Sequence, residues 1–197
     1  MLDAFEKHQD AGMIGCKVLN EDGSFQLSCR RGFPTVWAAW TRMMGLSFIF
    51  PKSRLFARYN LTYFDPDTTA EVDVVSGSFM VLRREILDPT IKGTTSGGKA
   101  GYLDERFFMY GEDIDWCWRI KQAGWKILYY PETSITHYKG KSSDNREWKQ
   151  VKQFYKAMIQ FVEKHSAEYG IFPPLWMIKI GIWKMAVMTF LWRKVRR

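Results

Sequence analysis

The chain has 197 residues, 46% apolar and 16% aromatic, enough for one domain with a real core. Its cysteines, Cys16, Cys29 and Cys117, are odd in number and lack metal-ligand pairing, which excludes a disulfide framework or zinc site and fits a reducing, cytosolic setting. The net charge of +8 is not spread evenly: residues 1–140 hold 17 basic and 17 acidic side chains and residues 141–197 hold 12 and 4, which excludes a globally basic nucleic-acid binder and gives the tail its own anionic partner.

In chain order, Met1–Gln9 reads as the end of a helix, without the apolar run of a signal peptide. Met13–Leu19 reads as a strand, Asn20-Glu21-Asp22-Gly23 as a turn and Phe25–Ser28 as the returning segment. Residues 30–64 interleave basic and aromatic side chains, with Val36–Met44 helical. They read either as ordinary packing with solvated arginines or as a binding surface, because aromatic faces stack flat ligand rings and basic groups meet phosphates. Val72–Leu82 reads as a buried strand interrupted at Ser76-Gly77-Ser78, where Gly77 permits close backbone approach or marks a bulge. Asp88–Ala100 reads as a loop expected to be mobile, whose Gly97-Gly98-Lys99 lacks the spacing of a phosphate-binding loop.

Gly101–Trp118, GYLDERFFMYGEDIDWCW, crowds carboxylates among aromatic rings. Phe107, Phe108 and Tyr110 are expected to be buried, which puts Glu112 and Asp113 at a cavity wall, where carboxylates act as bases. Gly111 breaks the aromatic run and a helix follows it to Ala123-Gly124. The same acids suit a helix's first turn, as caps and as partners of its dipole, and spacing alone favours that role. Trp125–Tyr130 reads as a strand ending at Pro131, Ile135–His137 as a short extended piece, and His8 and His165 as solvated.

The tail opens with a helix near Arg146–His165 carrying an apolar stripe of Trp148, Val151, Phe154, Tyr155, Met158 and Phe161. Leu175–Trp192 is nearly continuous apolar sequence broken by Lys179 and Lys184 and closed by Arg193, Lys194, Arg196 and Arg197. It is barely long enough to span a bilayer, so an interfacial helix fits best, with Trp176, Trp183 and Trp192 at the headgroups and the basic end on anionic lipid. A helix buried against a partner subunit is the alternative.

Three blocks in order, residues 13–35, 71–87 and 104–143 (DERFFMYGEDIDWCWRIKQAGWKILYYPETSITHYKGKSS), resemble family-two glycosyltransferases of the rhamnosyltransferase type. The resemblance implies an α/β chain forming the acceptor-side part of a GT-A (nucleotide-diphospho-sugar transferase) fold over 1–144, lacking the amino-terminal nucleotide-binding half. A helical tail, 145–197, follows it, with a membrane-associating segment at 175–197. It implies an inverting transfer from a nucleotide sugar to a lipid-linked or surface-glycan acceptor, in which Asp113 takes the acceptor's proton and Glu112 orients the acceptor. Asp73, Ser76, Gly77 and Ser78 line the sugar and acceptor subsites with Phe108, Tyr110 and Gly111. His137 reaches a divalent metal (Mg or Mn) or the diphosphate, beside Lys141 and Ser142. The aspartate pair that holds the metal in the family is absent from this sequence, so the expected enzyme is a piece of a longer or split protein, inactive alone, working peripherally on the inner face of the cell membrane. A separate amino-terminal half or a second copy is its expected protein partner. The rival reading is a non-catalytic, membrane-associated module that binds glycan or a partner.

Overall fold

The computed structural model describes residues 1–87, 100–138, 147–165 and 175–195. The loop read at 88–99, the Lys139–Ser143 segment with Lys141 and Ser142, and Arg196 and Arg197 lie outside the described residues, as do the side chains of Trp148, Trp192, Arg193 and Lys194. The chain divides into two units: Met1–Leu103 with Asp113–Tyr138, and Asp104–Glu112 with Lys139–Arg197.

The first unit is mixed α/β. After helix α1 (Leu2–Lys7) comes strand β1 (Ala11–Leu19), then β2 (Arg30–Arg31), α2 (Val36–Met43), α3 (Leu46–Ile49), β3 (Ala70–Glu71), β4 (Val74–Val75), β5 (Val81–Leu82), α4 (Glu112–Gln122) and β6 (Lys126–Thr136). The main sheet runs β3-β6-β1-β5, with β1 and β6 parallel and the edge strands antiparallel, while β2 and β4 form a separate ribbon. Because β1 is flanked on both sides, Ala11, Met13, Ile14, Cys16 and Val18 are all buried, which is why its sequence is almost unbroken apolar. Helix α4 lays Trp116, Cys117 and Ile120 on that core. It ends at Gly124, which adopts a left-handed φ of 87°, as helix C-termini commonly do.

The strand expected over Val72–Leu82 with an interruption at Ser76-Gly77-Ser78 is two two-residue pieces, β4 and β5, in different sheets, separated by the Ser76–Phe79 turn. The strand expected to stop at Pro131 continues to Thr136. Cys16 pairs with Tyr130 and the next residue, Lys17, with Ser134, so Pro131-Glu132-Thr133 bulge out of register. Proline has no N–H to give a ladder, and a bulge removes the need for one.

Glycine is required where the core closes on β1. A Cβ on Gly15 would lie 2.5 Å from Val75 Cβ, inside van der Waals contact with a β-branched side chain that has no rotamer of escape. Gly15→Ala is expected to destabilise by about 1–3 kcal/mol, the usual range for overpacking. A urea midpoint equal to the parent's would contradict this.

In the second unit, α5 (Glu147–His165) and α6 (Leu175–Val195) form a hairpin. Val151 and Tyr155 pack on Ile182 and Ala186, and the Tyr155 hydroxyl lies 2.8 Å from Thr189 Oγ1. His165, expected to be solvated, is 3% exposed, with its ring 4.8 Å from that of Phe161, because the apolar face of α5 carries through to its last turn. Phe154 is more exposed than the stripe implied and meets Tyr110 edge to face, centroids 5.8 Å apart. Among the described residues, no helix is long and apolar enough to cross a membrane.

Candidate functional site

The Ser76-Gly77-Ser78 segment is a tight turn set at the end of the β2–β4 ribbon. Ser76 N donates to Cys29 O (3.0 Å) and Phe79 N donates to Ser76 O (3.1 Å). The Ser78 amide and hydroxyl both reach Ser76 Oγ, at 3.3 and 3.0 Å, so the two hydroxyls serve the turn. Gly77 is exposed at the tip. A Cβ added there would meet only Asp113 Cβ, at 3.7 Å, an ordinary contact, so the fold itself does not demand glycine at this position.

Asp113, near the start of α4, faces that turn. Its Oδ1 accepts from the Ile114 amide at 2.8 Å, and its Oδ2 accepts from the Gly77 amide at 3.3 Å and pairs with Arg31 Nη2. Both side chains of the pair are nearly buried, 13% exposed for Arg31 and 14% for Asp113. Burial pulls the Arg31 guanidinium down, but the Asp113 carboxylate and the Tyr59 hydroxyl outweigh it and hold the group above the ordinary arginine value. A carboxylate offers about four acceptor positions. The protein fills three on Asp113 and leaves one, on Oδ1. Asp113 thus satisfies a first-turn amide of α4, the helix-end role that spacing favoured.

Arg31 escaped the sequence reading because Arg30-Arg31 looks like any basic pair. Only the β2–β4 pairing, which sets Arg31 opposite Val74, brings it beside the turn. Its neighbour Arg30 is fully buried and structural: it donates to the Phe64 and Asp65 carbonyls and stacks over Tyr129 at 4.6 Å. Asp73 is likewise engaged on both oxygens, by the Phe33 amide (3.1 Å) and by Lys121 Nζ (2.9 Å). It clamps the segment after Arg31, and in this structure it acts through position. Asp115 is completely buried and paired with Arg119, which holds the 100–102 segment through the Ala100 and Tyr102 carbonyls.

In the second unit, Phe107 is buried, whereas Phe108, expected to be buried with it, is 85% exposed. The chain passes through two left-handed residues, Tyr110 (φ 68°) and Gly111 (φ 83°). A non-glycine residue held there costs roughly 1–3 kcal/mol, and such strain gathers at functional sites. Glu112 follows as the first residue of α4. Asp104 anchors the segment: it accepts from Arg106 and from Lys164 Nζ on α5 (2.6 Å), while Gln160 reaches the Arg106 carbonyl. A cleft of about 250 Å³ lined by Arg106, Phe107, Gln160, Glu163 and Lys164 opens here.

The hydrogen bond from Arg106 chiefly, with Lys164, holds the Asp104 carboxyl well below the usual carboxylate range. A depressed folded value means that stability is fully present above the unfolded value, about 3.9, and is lost as the pH falls towards the folded one. Asp104→Asn should therefore destabilise by about 0.2–1 kcal/mol at pH 7, the range for solvent-screened pairs. The melting temperatures of variant and parent should converge below pH 3. A gap that widens in acid would refute the assignment.

His137 follows β6, and its Nδ1 lies 3.3 Å from Gln26 Oε1. Among the described residues no group of three or more His, Cys, Asp or Glu side chains converges. Magnesium-like cations require several oxygen ligands, so the described donors at His137 do not fit a divalent metal, and the mechanism below uses none. Burial pushes the Cys16 thiol up to about 11 and the Cys117 thiol to about 12, which leaves neither available as a thiolate nucleophile at neutral pH.

A family model described as glycosyltransferase like family 2 matches residues 1–155. Two relatives, the N-acetylglucosaminyl-diphospho-decaprenol L-rhamnosyltransferases of Mycobacterium tuberculosis strains CDC 1551 / Oshkosh and ATCC 25618 / H37Rv, are each 25% identical to this chain over 179 residues. The matched region is 91% of this chain and 54% of each relative, so the chain spans about half the length of the curated relatives it matches. No solved structure matches.

Proposed function

The chain belongs to the glycosyltransferase like family 2, and on that premise we propose that it carries the acceptor side of an inverting sugar transfer from a nucleotide sugar to a lipid-linked glycan, with Asp113 as the base. The observation that carries this reading is the Asp113 carboxylate itself. It is fixed by Arg31 and two backbone amides, keeps one acceptor position on Oδ1, and stands beside a turn whose tip, Gly77, has open space around it.

An acceptor hydroxyl donating to that position has its oxygen aimed and its proton already directed. As the oxygen forms its bond to the anomeric carbon, the proton passes to Asp113 Oδ1 and the bond to the diphosphate breaks, the nucleoside diphosphate leaving with the electron pair. A single displacement inverts the centre and needs one base. The guanidinium of Arg31 fixes the carboxylate's orientation throughout, so proximity is already provided when the acceptor arrives. The relatives' names carry a sugar diphosphate on a decaprenol chain, which supports a prenyl-diphosphate acceptor here.

Such an acceptor lives in a membrane, and α6 suits one. Opposite its Ile182 and Ala186 packing face, Trp176, Ile180, Trp183 and Val187 form an exposed apolar stripe. Lys184 borders that stripe on one side and Lys179, paired with Glu163 at 2.5 Å, on the other. Tryptophans and bordering lysines suit the headgroup region, and this supports a peripheral seat on the inner face of the cell membrane.

The test is titration of the purified chain with a short-chain prenyl-diphosphate-linked N-acetylglucosamine, read by calorimetry. Saturable binding is expected. Gly77→Leu should retain the parent's melting temperature, because its Cβ meets only an ordinary contact, and lose about tenfold or more in affinity, roughly 1.4 kcal/mol. Equal affinities for parent and variant would remove the acceptor from this turn.

A further inference from the structure

Helix α2 is built inside out. Its small or polar residues Ala38 and Thr41 are buried, 1% and 0% exposed, while Val36, Trp37 and Trp40 are 45%, 41% and 43% exposed. The side-chain hydroxyl of Thr35 caps it by accepting from the Ala38 amide, so this orientation is fixed from its first turn. Helix α3 buries no residue at all, and its Phe48 and Ile49 are 68% and 66% exposed. Exposed Phe50 and Leu55 continue the surface. The rings are ordered against one another: Trp37 stacks on Trp40 with centroids 5.2 Å apart, and the Trp37 indole N–H donates to the Leu55 carbonyl at 2.9 Å.

The charges carried by the segment itself have one sign, with Asp65 and Asp67 following it. Residues 32–64 contain Arg42, Lys52, Arg54 and Arg58 and no acidic side chain, and all four basic residues are exposed. Arg42 sits over the rings of Phe48 and Tyr59, at 5.9 and 5.6 Å, so a cation lies directly beside the most exposed apolar tip. Large exposed apolar patches mark interaction surfaces. The core of a protein–protein interface is depleted of charge, whereas here four cations accompany the exposed apolar tips. Tryptophan, exposed aliphatic tips and cations together match the boundary between headgroups and acyl chains in an anionic leaflet.

We propose that the α2–α3 surface of the first unit is a membrane-docking face, which inserts Phe48, Ile49 and Phe50 among acyl chains while Arg42, Lys52, Arg54 and Arg58 meet anionic lipid headgroups. The proposal stands on the first unit alone and is independent of α6 touching lipid.

The three native thiols are all buried, so a cysteine placed at an exposed site takes an environment-sensitive fluorophore selectively. Phe48→Cys labelled in this way should shift to the blue and brighten with vesicles of phosphatidylcholine and phosphatidylglycerol, and respond weakly to phosphatidylcholine alone. The response should fall with added salt. Met188→Cys, 66% exposed on α6, reports the tail separately. In co-sedimentation of the full chain with the anionic vesicles, Phe48→Glu with Ile49→Glu should weaken partition by about tenfold or more, roughly 1.4 kcal/mol, with near-ultraviolet circular dichroism unchanged.

A probe at position 48 that stays water-like while the protein pellets and the probe at 188 responds would overturn the proposal and leave the α6 reading standing. Loss at 188 with response at 48 would do the reverse. Equal response to neutral and anionic vesicles, or concentration-dependent dimerisation abolished by the double glutamate variant, would also overturn it.

Discussion

Asp113→Asn, in the enzyme assayed with its nucleotide-sugar donor and prenyl-diphosphate acceptor, should lower the rate of transfer by about 10²–10⁴-fold, the range for loss of a positioned base. The amide keeps the size of the carboxylate, and its single oxygen can still accept from one of the two backbone amides, Gly77 or Ile114, which meet different oxygens of Asp113. It cannot take up the acceptor's proton, so donor binding should survive while chemistry fails. The variant also leaves the Arg31 guanidinium without its anion, so a stability measurement must accompany the rate. If Asp113→Asn folds, binds donor and transfers within a few-fold of the parent, Asp113 serves the helix end and some other group takes the proton.

Arg31→Met should cost about 3–5 kcal/mol, the range for removing one partner of a buried ion pair. The methionine fills much of the arginine's volume, so the loss comes from electrostatics: the Asp113 carboxylate, 14% exposed, remains with only two amide donors. Arg31→Lys keeps the charge and loses the planar fork, and should fall between variant and parent. Arg31→Met combined with Asp113→Leu removes both charges and should recover much of the loss, since apolar replacement of a whole buried pair is often neutral. Urea unfolding of the three proteins decides it. An Arg31→Met midpoint close to the parent's would show the pair to be solvated in solution and would weaken the case for a fixed base.

The parts of the fold that could be read from sequence are those in which local pattern and tertiary demand agree. β1 is apolar throughout because it is central, and α4 runs between Gly111 and Gly124 because glycine is cheap at the left-handed positions that bound it. Long-range pairing was not legible. Nothing in Arg30-Arg31 or Val74-Val75 states that they form a ribbon, yet that ribbon brings Arg31 to Asp113. The GEDID stretch could be singled out by its carboxylates behind aromatic residues, but the left-handed Tyr110 could not, because tyrosine's own preferences argue against that conformation, and neither could an exposed Phe108 beside a buried Phe107. His165 misled for the converse reason: a polar letter at a helix end says nothing about which way that end is turned.

The bulge in β6 has a bearing on how this sheet can vary. One step along β1, from Cys16 to Lys17, is matched by four along β6, from Tyr130 to Ser134. An odd surplus of three exchanges the two sides of every residue that follows, because strand side chains alternate with a period of two. His137 therefore owes its bearing towards Gln26 to a local miscount rather than to the buried half of the strand. Adding or losing a single residue within Pro131-Glu132-Thr133 would swing that imidazole to the opposite side of the sheet and leave Ile127, Leu128 and Tyr129 where they are.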